Sequence, residues 1–298
     1  MNLKLIDAAL AGYEDVLDEA DRARLAFFRD IWSVQTEIAA EHVGVARIVP
    51  EAQDLRAWSE EGVAVLHRAP VSIGASVLVD AIVRIVAVMV DKGAFASEVR
   101  DSLGLIPWKS LVEGSPLEVA GSNPSAYVEA FARKLSNEGA DAAVVPVAAS
   151  AVSLALRALI EDAAQALQGA RESAVAGIAN PVECPVCGAS ATVARVGASK
   201  GSEGRGKTLW CGQCSTVWDF ERVRCARCGT RNQGHLHYFN IEGDDAHRIA
   251  TCDECGGYVR TVYQDDALAP FSFEVEDVVM ARLDLIAARR LAEQGDAR

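Results

Sequence analysis

Eight cysteines, Cys184, Cys187, Cys211, Cys214, Cys225, Cys228, Cys252 and Cys255, fall into four C-x-x-C pairs with none left over. A C-x-x-C turn points two sulfurs at one centre about 2.3 Å away, and a second such turn completes a tetrahedron. A single pair is ambiguous with a thioredoxin-type redox motif, but four pairs outside any βαβ pattern signal metal ligation. Disulfides and redox-active thiols are the competing chemistries.

Spacing decides which pairs share a metal. Between Cys187 and Cys211 lie 23 residues, and 23 again lie between Cys228 and Cys252. The segment is an internal repeat, C-x2-C-x23-C-x2-C twice, joined by a ten-residue spacer. The repeats open alike, "CPVCGA" against "CARCGT", and Gly188 and Gly229 suit a knuckle whose N–H groups face the thiolates. The first site is therefore expected to hold Cys184, Cys187, Cys211 and Cys214, and the second Cys225, Cys228, Cys252 and Cys255. The rival grouping, Cys211 and Cys214 with Cys225 and Cys228, leaves the outer pairs far apart.

Short strands must position these turns. "ATVARVG", "KTLW" and "TVWDF" read as strands of the first repeat, and "HLHYFNI", "HRIAT" and "YVRTVY" as strands of the second. The spacer "STVWDFERVR" is expected to run as a strand from one ribbon into the next. Upstream, Phe27, Ile31, Val34 and Ile38 lie on one helix face. Ser122 and Asn123 before Pro124 mark a helix start, followed at helical spacing by Val128, Phe131 and Leu135. Long buried helices are expected near 72–91 and 139–168, with loops at Gly104/Pro107 and Gly114/Pro116. "PFSFEVEDVVMARLDLIAARRLAEQ" reads as a final helix buried along Val275, Val279, Leu283 and Ile286. The fold class is α+β: an all-helical domain over 1–180, a zinc-ribbon β module over 181–221, a second over 222–264, and a C-terminal helix and tail over 265–298. Removing a ligand is expected to unfold its own ribbon and spare the helices.

Other motifs carry less. "GSEGRGKT", Gly201 to Thr208, matches the phosphate-loop pattern, but that pattern needs a helix at the Lys. Cys211 follows too soon for one, so a hairpin tip with a solvated Lys207 is expected. His235 and His237 alternate along a strand beside the second site and read as a polar face. Arg222, Arg224, Arg227 and Arg231 cluster with Trp218, Phe220 and Tyr238, a composition that suits a partner surface. Residues 181–264 sum to about +1 by side-chain count, too little to attract DNA.

The whole chain of 298 residues carries a formal charge of −13, which disfavours nucleic acid and anionic membranes as partners. Two apolar runs carry internal charge, Asp80 and Arg84 in one and Arg157 in the other, so core helices rather than membrane insertion are expected. The first residues show no basic patch followed by an apolar run, so a cytoplasmic location with reduced thiols is expected. No nucleophile–base set stands out in the first 180 residues, and the chain reads as no enzyme.

With "CPVCG", "LWCGQCSTVW", "RVRCARCG", "LHYF", "TCDECGGYVRTVYQ" and "VEDVVMARLDLIA" after a helical half, the sequence resembles the FdhE family, accessory (maturation) proteins of formate dehydrogenase. The motifs carry the resemblance over about 181–290, and architecture alone carries it before that. It implies two rubredoxin-like metal sites on the eight cysteines, associated in the family with iron, although thiolate tetrahedra suit zinc as well. It also implies a non-catalytic protein acting on the catalytic subunit of a formate dehydrogenase; it leaves the oligomeric state open. The alternatives are a zinc-ribbon nucleic-acid-binding protein and a rubredoxin-like electron carrier.

Overall fold

A computed structural model of the chain describes residues 1–42, 48–178, 180–198 and 205–287. Among these, ten helices come first: α1 Leu3–Ala11, α2 Glu19–Glu41, α3 Ala52–Glu60, α4 Val65–Arg68, α5 Ala75–Lys92, α6 Ser97–Leu105, α7 Trp108–Glu113, α8 Leu117–Ser122, α9 Pro124–Asn137 and α10 Val144–Ala174. The strands are β1 Val193–Ala198, β2 Arg205–Trp210, β3 Val217–Phe220, β4 Leu236–Phe239, β5 His247–Cys252 and β6 Tyr258–Tyr263. Helix α11, Phe273–Val279, follows, and after a turn at Met280 the chain is helical again over 281–287.

Local chemistry accounts for the helix ends. The Asp18 carboxylate accepts the Asp21 N–H at 2.8 Å and starts α2, whose inward face buries Ile31 and Ile38 with Phe27 and Val34 beside them. Asn123 accepts the Ala126 N–H at 3.1 Å to start α9, with Pro124 in the first position where no N–H is needed. Pro146 is tolerated in the first turn of α10 for the same reason. Gly104 departs from its expected loop: it lies inside α6, and the break comes at Ile106 and Pro107.

Helix α10 is the centre of the helical half and packs on α2, α3, α5 and α9. It is long and apolar enough to cross a bilayer by composition, but 61% of its most apolar window is buried inside the protein. In α5, Asp80 and Arg84 sit on the outer side, and Arg84 reaches Glu37 and Glu41 of α2 while Leu78, Ile82 and Ile85 are fully buried. Each such side chain contributes about 1.5–3 kcal/mol on burial.

All six strands form one sheet in the order β3-β2-β1-β6-β5-β4. Each ribbon is a three-stranded antiparallel unit. The seam between them is the parallel pair β1–β6, running from Val193 opposite Arg260 to Val196 opposite Tyr263. The expected spacer strand is thus corrected: β3 covers only Val217–Phe220 and forms an outer edge of the sheet. The ribbons meet instead through the first strand of one and the last strand of the other, which repeats the unit in tandem along the sheet.

The core does not stop near residue 180. One cluster joins Ile82, Leu156 and their helical neighbours to Cys184, Cys187, Cys211, Cys214 and Trp218. A second ties α1 and α2 to Val275, Val278 and Val279 of α11. A third packs Met280 and Leu283 against Val193, Trp210, Ile249 and Val262 of the sheet. The C-terminal helical segment is therefore a strap between the first helices and the sheet.

Candidate metal centres

The four C-x-x-C turns share one backbone geometry. In each, the residue after the second cysteine donates its N–H to the carbonyl of the first: Gly188 to Cys184 at 2.9 Å, Ser215 to Cys211 at 2.8 Å, Gly229 to Cys225 at 3.1 Å and Gly256 to Cys252 at 2.8 Å. That residue has positive φ in all four, 78°, 61°, 79° and 68° in the same order. Glycine reaches this region at no steric cost, so Ser215 is the exception. The N–H of the first cysteine then closes each loop on the next residue's carbonyl, as from Cys184 to Ala189 at 2.8 Å and from Cys252 to Gly257 at 3.0 Å.

These turns bring the sulfurs together in two groups, Cys184/Cys187/Cys211/Cys214 and Cys225/Cys228/Cys252/Cys255, with all four sulfurs of a group within 4.8 Å of one another. This is the grouping that the repeat spacing predicts, and the rival grouping is not formed. Sulfur contacts are 3.5 Å for Cys184–Cys214 and Cys187–Cys211, 3.9 Å for Cys225–Cys255 and 3.8 Å for Cys228–Cys252. A metal 2.3 Å from each of four sulfurs sets tetrahedron edges of about 3.8 Å. A disulfide needs about 2.05 Å, so the cysteines are free thiols shaped for a tetrahedral ion. Backbone donors favour the thiolate: Cys225 Sγ accepts the N–H groups of Arg227 and Cys228 at 3.3 and 3.5 Å. Burial pushes the Cys225 thiol up, but these donors outweigh it and hold the group at about 7. The clusters can hold two ions, and the donor set suits iron and zinc alike.

The first centre is built into the helical half. Backbone N–H groups of Val65 and Leu66, at the start of α4, donate to the knuckle carbonyls of Pro185 and Val186 at 3.0 and 2.8 Å. From α10, Ser153 donates to Gln213 at 3.0 Å and Arg157 to Ser215 at 2.9 Å. Trp218 donates its indole N–H to the Pro181 carbonyl at 3.1 Å. A cleft of about 1350 Å³ opens beside this centre, with Phe27, Phe28, Phe95 and Leu154 on the helical side and Ala189 and Gln213 on the knuckle side. Its walls come from segments far apart in the chain, and no local pattern marks it.

The second centre stands at the far end of the sheet. His235 lies in a 3-10 turn, Gln233–His235, rather than on the strand, and only His237 is in β4. Both are exposed and face carboxylates, His237 with Asp253 at 2.9 Å and His235 with Glu254 at 3.4 Å. Neither belongs to a sulfur cluster.

The cluster of arginines and aromatics is mostly internal, which corrects its reading as a partner surface. Trp218 and Phe220 are buried, since alternate residues of β3 face the core. Arg224 lies over the Phe220 ring at 4.9 Å and donates to the carbonyls of Gly229 and Asn180 at 3.3 and 3.0 Å. Arg227 donates to the Tyr258 carbonyl, and Arg231 pairs with Glu221. Tyr238 alone of the aromatics is exposed.

Lys207 is likewise not solvated. Arg205 to Trp210 form β2, so no helix follows the phosphate-loop-like motif, whose residues 201–204 lie outside the described ones. The Lys207 amine sits 5.3 Å from the Phe220 ring centre and donates to the Arg224 carbonyl at 3.2 Å. Burial lowers its pKa to about 8, against the pull of Cys225.

Sequence reading passed over one polar cluster altogether. His247 on β5 is buried with both ring nitrogens against carboxylates, Nδ1 at 2.9 Å from Asp244 and Nε2 at 2.9 Å from Glu276 of α11. Tyr13 donates to the same Glu276 at 2.9 Å, and Arg282 to Asp244 at 3.0 Å. A neutral imidazole has one N–H, so this geometry calls for the imidazolium. Burial alone would lower its pKa, but the hydrogen bonds and charges of Asp244 and Glu276 hold it up at about 9.

No family model matches the chain. Among curated proteins it is similar to the FdhE homolog of Aquifex aeolicus, 33% identical over 103 residues, covering 34% of this chain and 35% of that protein. The FdhE homolog of Pseudomonas aeruginosa is 31% identical over 140 residues, 43% of this chain and 41% of that protein. The matched stretches thus span well under half the length of these relatives. Among solved structures, the crystal structure of the FdhE protein from Pseudomonas aeruginosa superposes with a TM-score of 0.59 at 20% identity, over 98% of this chain and 90% of that one. The chain is thus similar in sequence to proteins named FdhE homolog over about a third to two fifths of its length, and it shares the fold of the FdhE crystal structure over nearly all of it.

Proposed function

We propose that this chain is an accessory protein of formate dehydrogenase: in the cytoplasm it binds the catalytic subunit, is needed for that enzyme's activity, and turns over no substrate itself. The observation that carries the reading is the FdhE fold over nearly the whole chain together with two intact four-cysteine clusters. In this reading Cys184, Cys187, Cys211 and Cys214 hold one metal ion and Cys225, Cys228, Cys252 and Cys255 hold the other, as iron or zinc. Each ion would cross-link two knuckles and add its binding free energy to the stability of the fold. The ribbons and the helical half then offer a rigid surface for the client. Charge supports a protein partner over nucleic acid, since the chain carries −13, Arg224 and Arg227 near the ribbons donate to backbone carbonyls of the fold, and Arg231 is paired with Glu221.

The test is to delete the gene in its host, assay formate oxidation, and pull down the tagged chain from the complemented strain. Loss of formate dehydrogenase activity and recovery of the catalytic subunit with the bait are expected. Unchanged activity in the deletion strain would contradict the reading.

A further inference from the structure

The two sulfur clusters share a backbone plan but not an enclosure. All four cysteines of the first are 1% exposed or less, sealed by α4, α10 and the shared core. In the second, Cys225 and Cys252 are buried while Cys228 and Cys255 are exposed. Donors to sulfur are also unequal. Cys225 Sγ accepts two backbone N–H groups, and Cys255 Sγ accepts that of Gly257 at 3.4 Å. Among the described residues, no N–H hydrogen bond reaches Cys228 Sγ, whose sulfur neighbour is Cys252 at 3.8 Å. Hydrogen bonds to a metal-bound thiolate take up part of its charge and fix its orientation. A thiolate that lacks them and faces solvent is the one an incoming reagent meets first and finds most nucleophilic.

We infer that the second centre is the exchanging metal site of this protein, opened at Cys228, and that it accepts a soft thiol ligand, while the first centre is a closed structural site. The inference rests on the metal reading of the two clusters. In the exchange, an incoming thiol gives up its proton and its sulfur takes the coordination position of Cys228, which leaves as the protonated thiol. One metal–sulfur bond breaks and one forms, and the oxidation state of the metal does not change. Cys225, Cys252 and Cys255 keep hold of the ion throughout. A centre of this kind can share its ion with a thiol of a bound protein, which the sealed first centre cannot do.

The experiment uses the purified full-length holoprotein, with its metal content measured first. It is mixed with limiting N-ethylmaleimide in the presence of a chromogenic metal chelator, and quenched samples are mapped by peptide mass spectrometry. The thiolate adds across the maleimide double bond and takes a proton from water, so no leaving group is involved. Release in two phases of one equivalent each is expected, separated in rate by roughly tenfold or more. Cys228 should be the first residue modified and Cys255 the second, with Cys184, Cys187, Cys211 and Cys214 unmodified until the slow phase. Release of both ions in one phase, or labelling of the first-site cysteines in step with Cys228, would overturn the inference while leaving the metal reading intact. A holoprotein with fewer than two ions would overturn both. As a second measurement, Cys228→Ser should lose the fast phase and keep the slow one; loss of the slow phase instead would contradict the assignment.

Discussion

Arg157, in the middle of α10, donates from Nε to the hydroxyl of Ser215 at 2.9 Å, and Ser215 is the one knuckle residue at positive φ, among the four, that is not glycine. The same guanidinium donates to Glu274 at 2.7 Å and lies 5.0 Å from the Trp210 ring centre. One buried cation thus fastens the central helix to the first sulfur centre and to the strap helix α11. The hydroxyl that needs the arginine explains why a serine occupies a backbone conformation costing about 1 kcal/mol or more. Arg157→Met takes the cation from Glu274, which keeps the Ser272 hydroxyl as a donor at 2.6 Å, and should cost about 2–4 kcal/mol in urea unfolding. The double substitution Arg157→Met/Glu274→Met should recover part of that loss. Additive costs would show that the pair does not act as a unit.

The shared core changes what a lost ligand does. The helical half was expected to survive removal of either metal, but Cys184 and its three partners pack among the residues of α5 and α10. Cys184→Ala should therefore lower the melting temperature of the whole chain, by roughly 5 °C or more. Cys252→Ala should loosen only the outer ribbon and leave the helical signal by circular dichroism in place. Equal loss of helix in both variants would argue against this asymmetry.

His247 gives stability a pH dependence with a definite sign. Its pKa is held at about 9 in the fold against an ordinary 6.5, by Asp244 and Glu276, with Tyr13 and Arg282 completing its surroundings. A raised pKa means that the contribution is complete below about 6.5 and is lost as pH rises through about 9. The loss is on the order of 3 kcal/mol. Lys207, lowered to about 8 from 10.5, has the opposite slope between those values. The difference between the wild type and His247→Gln isolates the histidine: it should shrink steadily from pH 6.5 to 9. A constant difference would show that the imidazolium is not what binds β5 to α11.

Burial separates two residues that composition alone groups together. Arg224→Ala removes donors to Gly229 and Asn180 and uncovers Phe220, and should cost about 1–3 kcal/mol. Tyr238 is 62% exposed, and Tyr238→Ala should change stability by less than about 1 kcal/mol. Urea titration of both variants checks the contrast.

The sulfur framework was the most legible part of this sequence because knuckle chemistry is local: two cysteines and a positive-φ residue fit in five positions. The repeat of 23 residues then paired the knuckles. Strands and helices followed from periodicity, and the Asn123–Pro124 helix start from capping chemistry. Tertiary choices were not legible in this way. Nothing in "TVWDF" tells that it ends at a sheet edge, and nothing in "YVRTVY" tells that it pairs in parallel with β1. Burial of Arg224 and Lys207 depends on Phe220 lying beside both, across the β2–β3 pair for Lys207 and after the end of β3 for Arg224. The His247 cluster joins residues 13, 244, 247, 276 and 282, which no short pattern connects.

The most direct measurement is X-ray absorption at the metal edge on the purified holoprotein, combined with metal analysis of the same sample. Two ions per chain are expected, with four sulfur neighbours each at about 2.3 Å and no nitrogen or oxygen ligand. One ion per chain, or a fit that requires histidine nitrogen in the first coordination sphere, would contradict the two four-cysteine centres on which the account is built.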